Sequence, residues 1–422
     1  MNMKFHVFYL ATLAILSACN NSDNKTVTET ETAPTAHKTE LKLPDGFSAT
    51  IVADSLGHLR HMAINANGDV YVSLSSLKDG KGIYMLNDTN KDGTLDKITG
   101  FAGYPGTGIT IHDGYLYSAS NSGVFRYKLD DKGAVTDTGN AEEIVVGLVD
   151  KGRDNSKSIA IDDQNNLYVT VGSYSDACRQ EGSGKGIPGC PLLDSVAGVW
   201  QFKADKLHQS YGDAVHYATG IKNAVGLAWN ANTHSLFATQ HGRGQFDDQF
   251  PQYYTSKQSQ ELPAETLYEL HQGSDAGWPF VYYDPFQKKL ILAPEYGGDG
   301  KKTADKKYQD PIAAFPAHFA PDDLLFYTGN MFPEKYKNGA FIAFHGQSPA
   351  LKQGYLVAFV PFKDGKPSAD WEIFADNFAG MDLKDSTGTI QYRPVGLAQG
   401  PDGSLYVAED LKGSIFRISY TK

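Results

Sequence analysis

One motif recurs along the chain, and its recurrence constrains the fold more than any other feature of the sequence. Each copy reads as a strand, a turn rich in Asn, Asp and Gly, and a second strand. Four copies align closely: AINANGDVYV from Ala63, AIDDQNNLYV from Ala160, AWNANTHSLFA from Ala228 and AQGPDGSLYV from Ala398. Such repeats indicate a series of small antiparallel sheets.

Two weaker copies complete the series. One begins at Ile109, and the segment from Gly339 resembles the second strand of a sixth copy. Small sheets repeated in this way close into a ring, which leaves no long exposed sheet edge. The sequence therefore predicts an all-β fold in which residues 40–422 form one six-bladed β-propeller, with a β-sandwich as the alternative.

The first 39 residues carry an export pattern followed by a polar segment. Residues 1–18 have an early lysine and an apolar run that ends in small residues, as in a signal peptide. The segment LSAC, ending at Cys19, resembles the bacterial lipobox, whose cysteine is lipidated; an ordinary signal peptide with a chance cysteine is the alternative. Residues 19–39 favour a disordered tether. We expect a lipid-anchored domain of the bacterial cell envelope, with the outer membrane favoured and the domain in the periplasm or exposed.

Charge and cysteine usage narrow the class further. The formal net charge of -11 and the pI near 5.5 argue against nucleic acid as a partner, because phosphate binding needs a basic surface. Cys178 and Cys190 are the only other cysteines, and they enclose a 13-residue loop. In an exported chain such a pair predicts a disulfide that stabilises by about 3 kcal/mol through loop-closure entropy. A free or metal-binding pair is the alternative.

Cations stand at similar places in four of the copies. Arg60, Lys157, Lys222 and Arg393 each precede the first alanine of a copy by three to six residues. Because equivalent positions of the blades lie at one height around the channel, these side chains should meet there. Like charges repel unless a ligand neutralises them, so the cluster predicts a site for a multiply charged anion. Four unrelated surface salt bridges are the alternative. Asp154 shares the register of Lys222 and is expected to point into the same channel.

Several longer motifs stand in the order found in a known family. They are ATGIKNAVGLAW from Ala218, TQHGRGQ from Thr239, DAGWPFVYYDP from Asp275, FAPDDLLFYTG from Phe319 and YRPVGLAQGPDGSLYVAED from Tyr392. Together they resemble the glucose/sorbosone dehydrogenase family over essentially all of residues 40–422. The resemblance implies a six-bladed propeller that carries pyrroloquinoline quinone (PQQ) and calcium and oxidises a sugar or related polyol. PQQ is a tricarboxylate, the kind of anion that the cations predict.

The resemblance also implies which residues hold the quinone. Lys222 and Asn223 match an Arg-Asn pair that contacts it, and lysine keeps the charge but loses the planar fork. Arg393 matches a carboxylate-binding arginine, and Gln391 stands where some members have a second one. Trp278 matches an aromatic wall of the cofactor and sugar pocket, with core packing as the alternative.

Calcium has two candidate places. The resemblance implies that Gly242 and Arg243 offer backbone carbonyls to the active-site ion, which prefers oxygen ligands. Separately, the segment DTNKDGTLD matches the start of an EF-hand loop, but Thr99 stands where the bidentate acid belongs. It predicts a turn between strands that holds a structural calcium ion, with a metal-free turn as the alternative. Its candidate ligands are Asp88, Asn90, Asp92 and Asp96.

The chain departs from the family at the residue that removes the hydroxyl proton. Where the family has its catalytic histidine, ahead of the third inner strand, this chain has Asp154, and an aspartate is ordinarily a weaker base than a histidine. Three interpretations follow. Asp154 is a base that burial makes adequate, His345 near the channel end of the fifth blade takes the proton, or the site binds its ligand without turnover.

Two rival functions stay open beside the dehydrogenase. One is a non-catalytic propeller that binds a carbohydrate or an acidic ligand in the same channel. The other is a calcium-dependent lactone hydrolase, which would need carboxylates clustered at the channel floor. We expect carbonyls and cations there instead. The chain has no Cys-x-x-Cys-His motif for its own haem, so a dehydrogenase would pass electrons to a separate acceptor, a cytochrome or a quinone.

Overall fold

The computed structural model describes residues 37–244, 246–385 and 388–422. The predicted signal peptide, Cys19 and most of the predicted tether lie outside the described residues. Strands dominate the described part, and none of its helices is long and apolar enough to cross a membrane.

The first blades follow two short leading strands. These strands are β1 (His37–Lys38) and β2 (Phe47–Ala53). Two antiparallel four-stranded sheets come next, in the spatial orders β3-β4-β5-β6 and β7-β8-β9-β10. Their strands are β3 (Leu59–Ile64), β4 (Val70–Lys78), β5 (Lys81–Asn87), β6 (Lys97–Phe101), β7 (Gly106–His112), β8 (Tyr115–Ser120), β9 (Val124–Lys128) and β10 (Glu142–Val145).

The third and fourth blades carry longer connections. Their strands are β11 (Ile159–Ile161), β12 (Asn166–Val171), β13 (Gly198–Lys203), β14 (Val215–Thr219), β15 (Leu227–Asn230), β16 (Ser235–Gln240), β17 (Glu265–Leu270), β18 (Ser274–Asp275), β19 (Val281–Asp284), β20 (Lys289–Leu292) and β21 (Ala313–Phe315). The third sheet is β11-β12-β13-β14-β18, the fourth is β15-β16-β17-β21, and β19 and β20 form a separate hairpin. The one α-helix of the described part, α1, spans Ser256–Glu261, and short 3-10 turns occur at Pro191–Asp194, Tyr211–Asp213, Pro294–Tyr296 and Glu334–Tyr336.

The last two blades close the ring. Their strands are β22 (Pro321–Phe326), β23 (Ala340–Ser348), β24 (Gln353–Val360), β25 (Phe362–Lys363), β26 (Lys366–Pro367), β27 (Glu372–Ala375), β28 (Pro394–Gln399), β29 (Leu405–Glu409) and β30 (Ile415–Tyr420). The fifth sheet is β22-β23-β24-β27, and β25 and β26 form a small hairpin. The sixth sheet is β28-β29-β30-β2-β1, so strands from both ends of the chain complete one blade.

Strand register supports the repeat alignment, and the six-bladed propeller prediction is confirmed. In every blade the first strand pairs with the second at the position of the repeated aromatic residue. The pairs are Ala63 with Tyr71, Thr110 with Tyr117, Ala160 with Tyr168, Ala228 with Phe237, Leu325 with Phe341 and Ala398 with Tyr406. The first strands contact one another around the whole ring. Residues that flank these strands in different blades therefore meet at the channel.

The predicted disulfide between Cys178 and Cys190 is present, with the two Cα atoms 6.0 Å apart. It lies in the long connection between β12 and β13. Both cysteines are buried in one apolar cluster with Ala197 and Trp278. The disulfide therefore holds this connection against the segment that precedes the β19–β20 hairpin.

Candidate active site

A buried lysine links the third and fourth blades. The Lys222 ammonium lies 2.7 Å from Asp154 Oδ2 and 3.4 Å from Asp176 Oδ1, and its side chain is only 6% exposed. Arg153 reaches the same Asp176 oxygen at 2.7 Å. We call Arg153, Asp154, Asp176 and Lys222 the lysine cluster. Asp154 adopts a φ of 45°, which turns the chain just ahead of β11.

Close backbone packing positions the neighbouring amide of Asn223. A Cβ atom on Gly172 would lie 2.4 Å from the Asp154 carbonyl oxygen and 2.5 Å from Asn223 Oδ1, so glycine is required there. Asn223 is buried, and its Oδ1 has no hydrogen-bond partner within the described residues. A buried acceptor without a partner is uncommon and indicates a place for a bound group.

A second cluster joins the fifth, sixth and first blades. Asp410, directly after β29, accepts two hydrogen bonds from Arg393 at 2.8 and 2.9 Å. His345 Nε2 lies 3.1 Å from Asp410 Oδ2, and His345 Nδ1 lies 3.8 Å from Asp322 Oδ2. Arg60 donates to Asp322 at 3.2 Å. We call these five residues the channel cluster.

His241 brings the two clusters together. Its Nε2 lies 3.1 Å from Asp322 Oδ1, and the same nitrogen is 3.1 Å from the Pro321 carbonyl oxygen. The backbone N–H of His241 donates to the Asn223 carbonyl, next to Lys222. Side chains of five blades, the first and the third to the sixth, therefore converge at the channel.

The expectation that cations rather than carboxylates collect at the channel is wrong. Each cluster pairs its cations with buried or half-buried carboxylates. Burial alone would raise the pKa of Asp322, but the charges of His345, His241 and Arg60 outweigh it and hold that pKa well below its usual range. Cations and carboxylates occur together in these clusters because a buried ion without a counter-charge destabilises the fold.

One carboxylate that the sequence analysis does not single out, Asp410, carries a signal in the repeat. His241, His345 and Asp410 each stand four residues after the repeated aromatic of their blade. This position directly follows the second strand in the fourth and sixth blades and lies within β23 in the fifth, and in all three blades its side chain lies in or beside the channel cluster. The register of His345, which the sequence already indicates as a candidate base, therefore points to His241 and Asp410 as well.

Two predicted site residues lie apart from the clusters. The Lys157 side chain is buried, and its ammonium donates to the Asn155 carbonyl oxygen at 2.6 Å. Burial lowers the pKa of Lys157 to about 8. Gln391 is exposed, and its side chain lies beside Gly380. Their role in binding a cofactor stays a prediction.

A small cavity lies next to the lysine cluster. It holds about 30 Å³, enough for a water molecule or an ion, and its lining includes Lys222, His241, Gly242, Arg243 and Trp278. Within the described residues, no group donates a hydrogen bond to the carbonyl of Gly242 or Arg243. These carbonyls have the chemistry of calcium ligands.

Buried interactions hold the walls of this cavity. Trp278 is buried, and its Nε1 donates to the Asp176 carbonyl at 2.9 Å, so it serves both as wall and as core. The Arg243 guanidinium donates to the buried Glu295 carboxylate at 2.5 Å, and Arg179 reaches the same oxygen at 2.8 Å. The side chains near the candidate carbonyls are therefore fixed.

The segment that resembles an EF-hand loop is an exposed turn between β5 and β6, as expected. Asp88 accepts hydrogen bonds from the backbone of Asp92 and Gly93, and Asp96 accepts from Thr89. Asn90 accepts from the backbone of Asp92. No group of three or more His, Cys, Asp or Glu in the described chain is arranged to hold a metal ion, and calcium binding here stays a prediction.

Removing the Asp410 charge is expected to make stability less dependent on pH. Burial would raise the pKa of Asp410, but hydrogen bonds from His345 and Arg393 outweigh it and lower the pKa from 3.8 to about 2. A folded-state pKa below the unfolded one stabilises the fold above pH 4, and this contribution of about 2 kcal/mol fades as the pH falls toward 2. Urea unfolding should show Asp410→Asn less stable at pH 7, with a smaller deficit at pH 2.5. A deficit that does not change with pH would contradict this.

Comparison with known proteins places this six-bladed propeller in a family. The sequence profile of TrAA12-like proteins matches residues 41–283 and 286–421. The chain therefore belongs to the TrAA12-like family, and the resemblance drawn from the motifs is confirmed. A protein of Borreliella burgdorferi described as uncharacterized is 28% identical over 394 residues, which cover 90% of this chain and 91% of that protein.

Solved structures share the fold at low sequence identity. The calcium structure of the Trichoderma reesei protein of Carbohydrate-Active Enzymes Family AA12 has a TM-score of 0.72 and 16% identity, over 93% of this chain and 100% of that one. The holo form of the pyranose dehydrogenase PQQ domain from Coprinopsis cinerea has a TM-score of 0.71 and 19% identity, over 92% of this chain and 98% of that one. The PQQ-bound aldose sugar dehydrogenase from Streptomyces coelicolor has a TM-score of 0.56 and 17% identity, over 92% of this chain and 100% of that one. These similarities show the fold.

Proposed function

We propose that this protein is a PQQ- and calcium-dependent dehydrogenase of an aldose or related polyol, held at the bacterial cell envelope by a lipid on Cys19. The observation that carries the proposal is the convergence on the channel of Lys222 and Asn223 from the fourth blade and Arg393 from the sixth, with a cavity beside Lys222 that Gly242 and Arg243 line. Solved propellers of the same fold are described as PQQ-bound, calcium-bound or sugar dehydrogenases.

The residues present fit this cofactor pair in charge and donor type. Lys222 and Arg393 are cations suited to carboxylates, and Asn223 has a buried oxygen that accepts no hydrogen bond from the residues that the structure describes. Both cations already pair with aspartates, which lowers the net charge of the site. A tricarboxylate together with a divalent cation carries far less charge than the tricarboxylate alone, so the two groups fit best together.

When bound, PQQ would accept a hydride from the substrate, and calcium would polarise its carbonyl. The chain supplies position and charge. Lys222, Arg393 and Arg60 would hold the carboxylates, Asn223 would contact the quinone, and the carbonyls of Gly242 and Arg243 would hold calcium. Trp278 would exclude water along one wall.

Of the two candidate bases, His345 has the better-supported geometry. Asp410 lies 3.1 Å from its Nε2 and so orients the ring, and Nδ1, at 3.8 Å from Asp322 Oδ2, is beyond hydrogen-bond distance of that carboxylate and would accept the hydroxyl proton of a substrate. Asp154 instead uses one carboxylate oxygen to bind the Lys222 ammonium at 2.7 Å. We therefore assign Asp154 to positioning Lys222 and His345 to proton transfer.

A lactone hydrolase is the second candidate, because the channel does hold the carboxylates that such an enzyme needs. Asp322 and Asp410 are both buried there. Each is already paired with an arginine, which argues against a metal ion bound directly by them.

Reconstitution with PQQ and calcium tests the proposal. The purified protein is expected to reduce an electron-accepting dye in the presence of a sugar from a panel of aldoses and polyols, and only after both additions. Quinone-independent lactone cleavage would support the hydrolase instead. Saturable sugar binding without dye reduction would support a non-catalytic propeller.

A further inference from the structure

One surface hairpin concentrates positive charge on an acidic chain. The turn between β19 and β20 carries Phe286 and Lys288, and Lys289 begins β20. Lys301 and Lys302 lie beside it, because Gln287 Nε2 donates to the Gly300 carbonyl at 2.8 Å and the Leu292 N–H donates to the Lys302 carbonyl at 2.7 Å. We call residues 284–292 with Lys301 and Lys302 the basic hairpin.

The charge of the basic hairpin is available to a partner. Its four lysines are exposed, and within the described residues none of their ammonium groups belongs to a hydrogen bond or an ion pair. Phe286 is 68% exposed, the most of any large hydrophobic side chain that the structure describes. An exposed aromatic residue among unpaired cations, on a chain of net charge -11, is a typical docking feature.

The nearest carboxylates are mostly committed elsewhere. Asp284 is buried and accepts from the backbone N–H groups of Phe286 and Gln287, which fixes the turn. Glu295 is bound to two arginines. Asp299 is partly exposed, and its pKa is lowered by the N–H groups of Lys302 and Lys301 and by the Lys302 charge. One partly exposed carboxylate against four lysines leaves the patch positive.

The strand that leads into the basic hairpin lines the cavity of the candidate active site. Val281, Tyr282 and Tyr283 of β19 line the cavity that also contains Lys222. Tyr282 is held in place, since it packs on Phe246 and its hydroxyl lies 3.1 Å from that of Tyr254. A partner bound at the tip would therefore sit close to the site where substrate is oxidised.

We propose that the basic hairpin docks an acidic electron-accepting protein. This rests on the proposed function, because oxidising a C–OH group to C=O releases two electrons and two protons. The two electrons would pass through the cofactor to two one-electron acceptor molecules that dock in turn, each of which is reduced, and the two protons would leave to solvent. Complementary charge raises the association rate, and the effect weakens with salt. An anionic bilayer would also attract lysines, so vesicles form one arm of the test.

The test compares two variants of equal net charge in the full protein. Lys288→Glu with Lys289→Glu cancels the positive charge of the four lysines, whereas Lys363→Glu with Lys366→Glu reverses two exposed lysines of the β25–β26 hairpin. Binding of an acidic c-type cytochrome is measured directly, without turnover, at low and high salt. Reduction of a neutral dye reports separately on the proposed function.

We expect the first variant to bind the acidic cytochrome at least about 10-fold more weakly than wild type at low salt. The second variant should bind it nearly as well as wild type, a basic cytochrome should show no such difference, and dye reduction should be the same in all three proteins. Equal cytochrome binding by both variants would overturn the proposal. So would binding of wild type to anionic vesicles but not to the acidic cytochrome.

Discussion

Replacing Asp322 with alanine is expected to lower the free energy of unfolding by about 3–5 kcal/mol, the usual cost of breaking a buried ion pair. Its carboxylate is buried and lies 3.2 Å from Arg60 and 3.1 Å from His241. Its removal leaves these groups without a counter-charge and disconnects the first, fourth and fifth blades. Urea unfolding at pH 7 measures the change.

Asp163→Ala is the matched control for this substitution. Asp163 is exposed and pairs with His234 at 2.7 Å on the surface, so its loss is expected to change stability by less than about 0.5 kcal/mol. If Asp322→Ala unfolds at the same urea concentration as this control, the channel cluster does not stabilise the contacts between the blades.

Replacing His345 with glutamine is expected to lower kcat of the reconstituted enzyme by about 10² to 10⁴-fold, with little change in KM. The reason is the assignment of His345 Nδ1 as the proton acceptor, oriented by Asp410 at the other nitrogen. Steady-state dye reduction across pH measures the loss, and the base-dependent limb of the profile should disappear.

Asp154→Asn separates the two candidate bases. Asp154 binds the Lys222 ammonium, so this variant is expected to weaken cofactor binding more than it lowers kcat at saturating cofactor. The reverse pattern, with His345→Gln active and Asp154→Asn without turnover, would identify Asp154 as the base and reject the present assignment.

The fold was predictable because the repeated residues are those that pair and pack between the first two strands of each blade. The aromatic residue of each second strand pairs with the first strand in all six blades, and an alanine faces it in four of them, beginning with Ala63 and Tyr71. The sequence predicts that the propeller starts near residue 40, whereas strand pairing in the structure begins slightly earlier, at His37. Strands from both ends of the chain pair within one sheet, a long-range contact that no local pattern encodes.

The site was less predictable because the sequence does not show which charged side chains become neighbours in the folded protein. Sequence position correctly placed Lys222 beside Asp154, at 2.7 Å. It did not reveal that Asp176, from the connection that carries the disulfide, shares this lysine. A buried cation needs a counter-charge, and a ring of repeats can supply it from any neighbouring blade, as Asp410 does for Arg393.

The most direct test of the central claim is a calorimetric titration of PQQ into the purified protein with and without calcium. We expect saturable binding that requires calcium and weakens at least about 10-fold in Lys222→Met and in Arg393→Met, because each variant loses a charge-assisted contact from a different blade. Absence of PQQ binding in the presence of calcium, or binding that neither substitution affects, would contradict it.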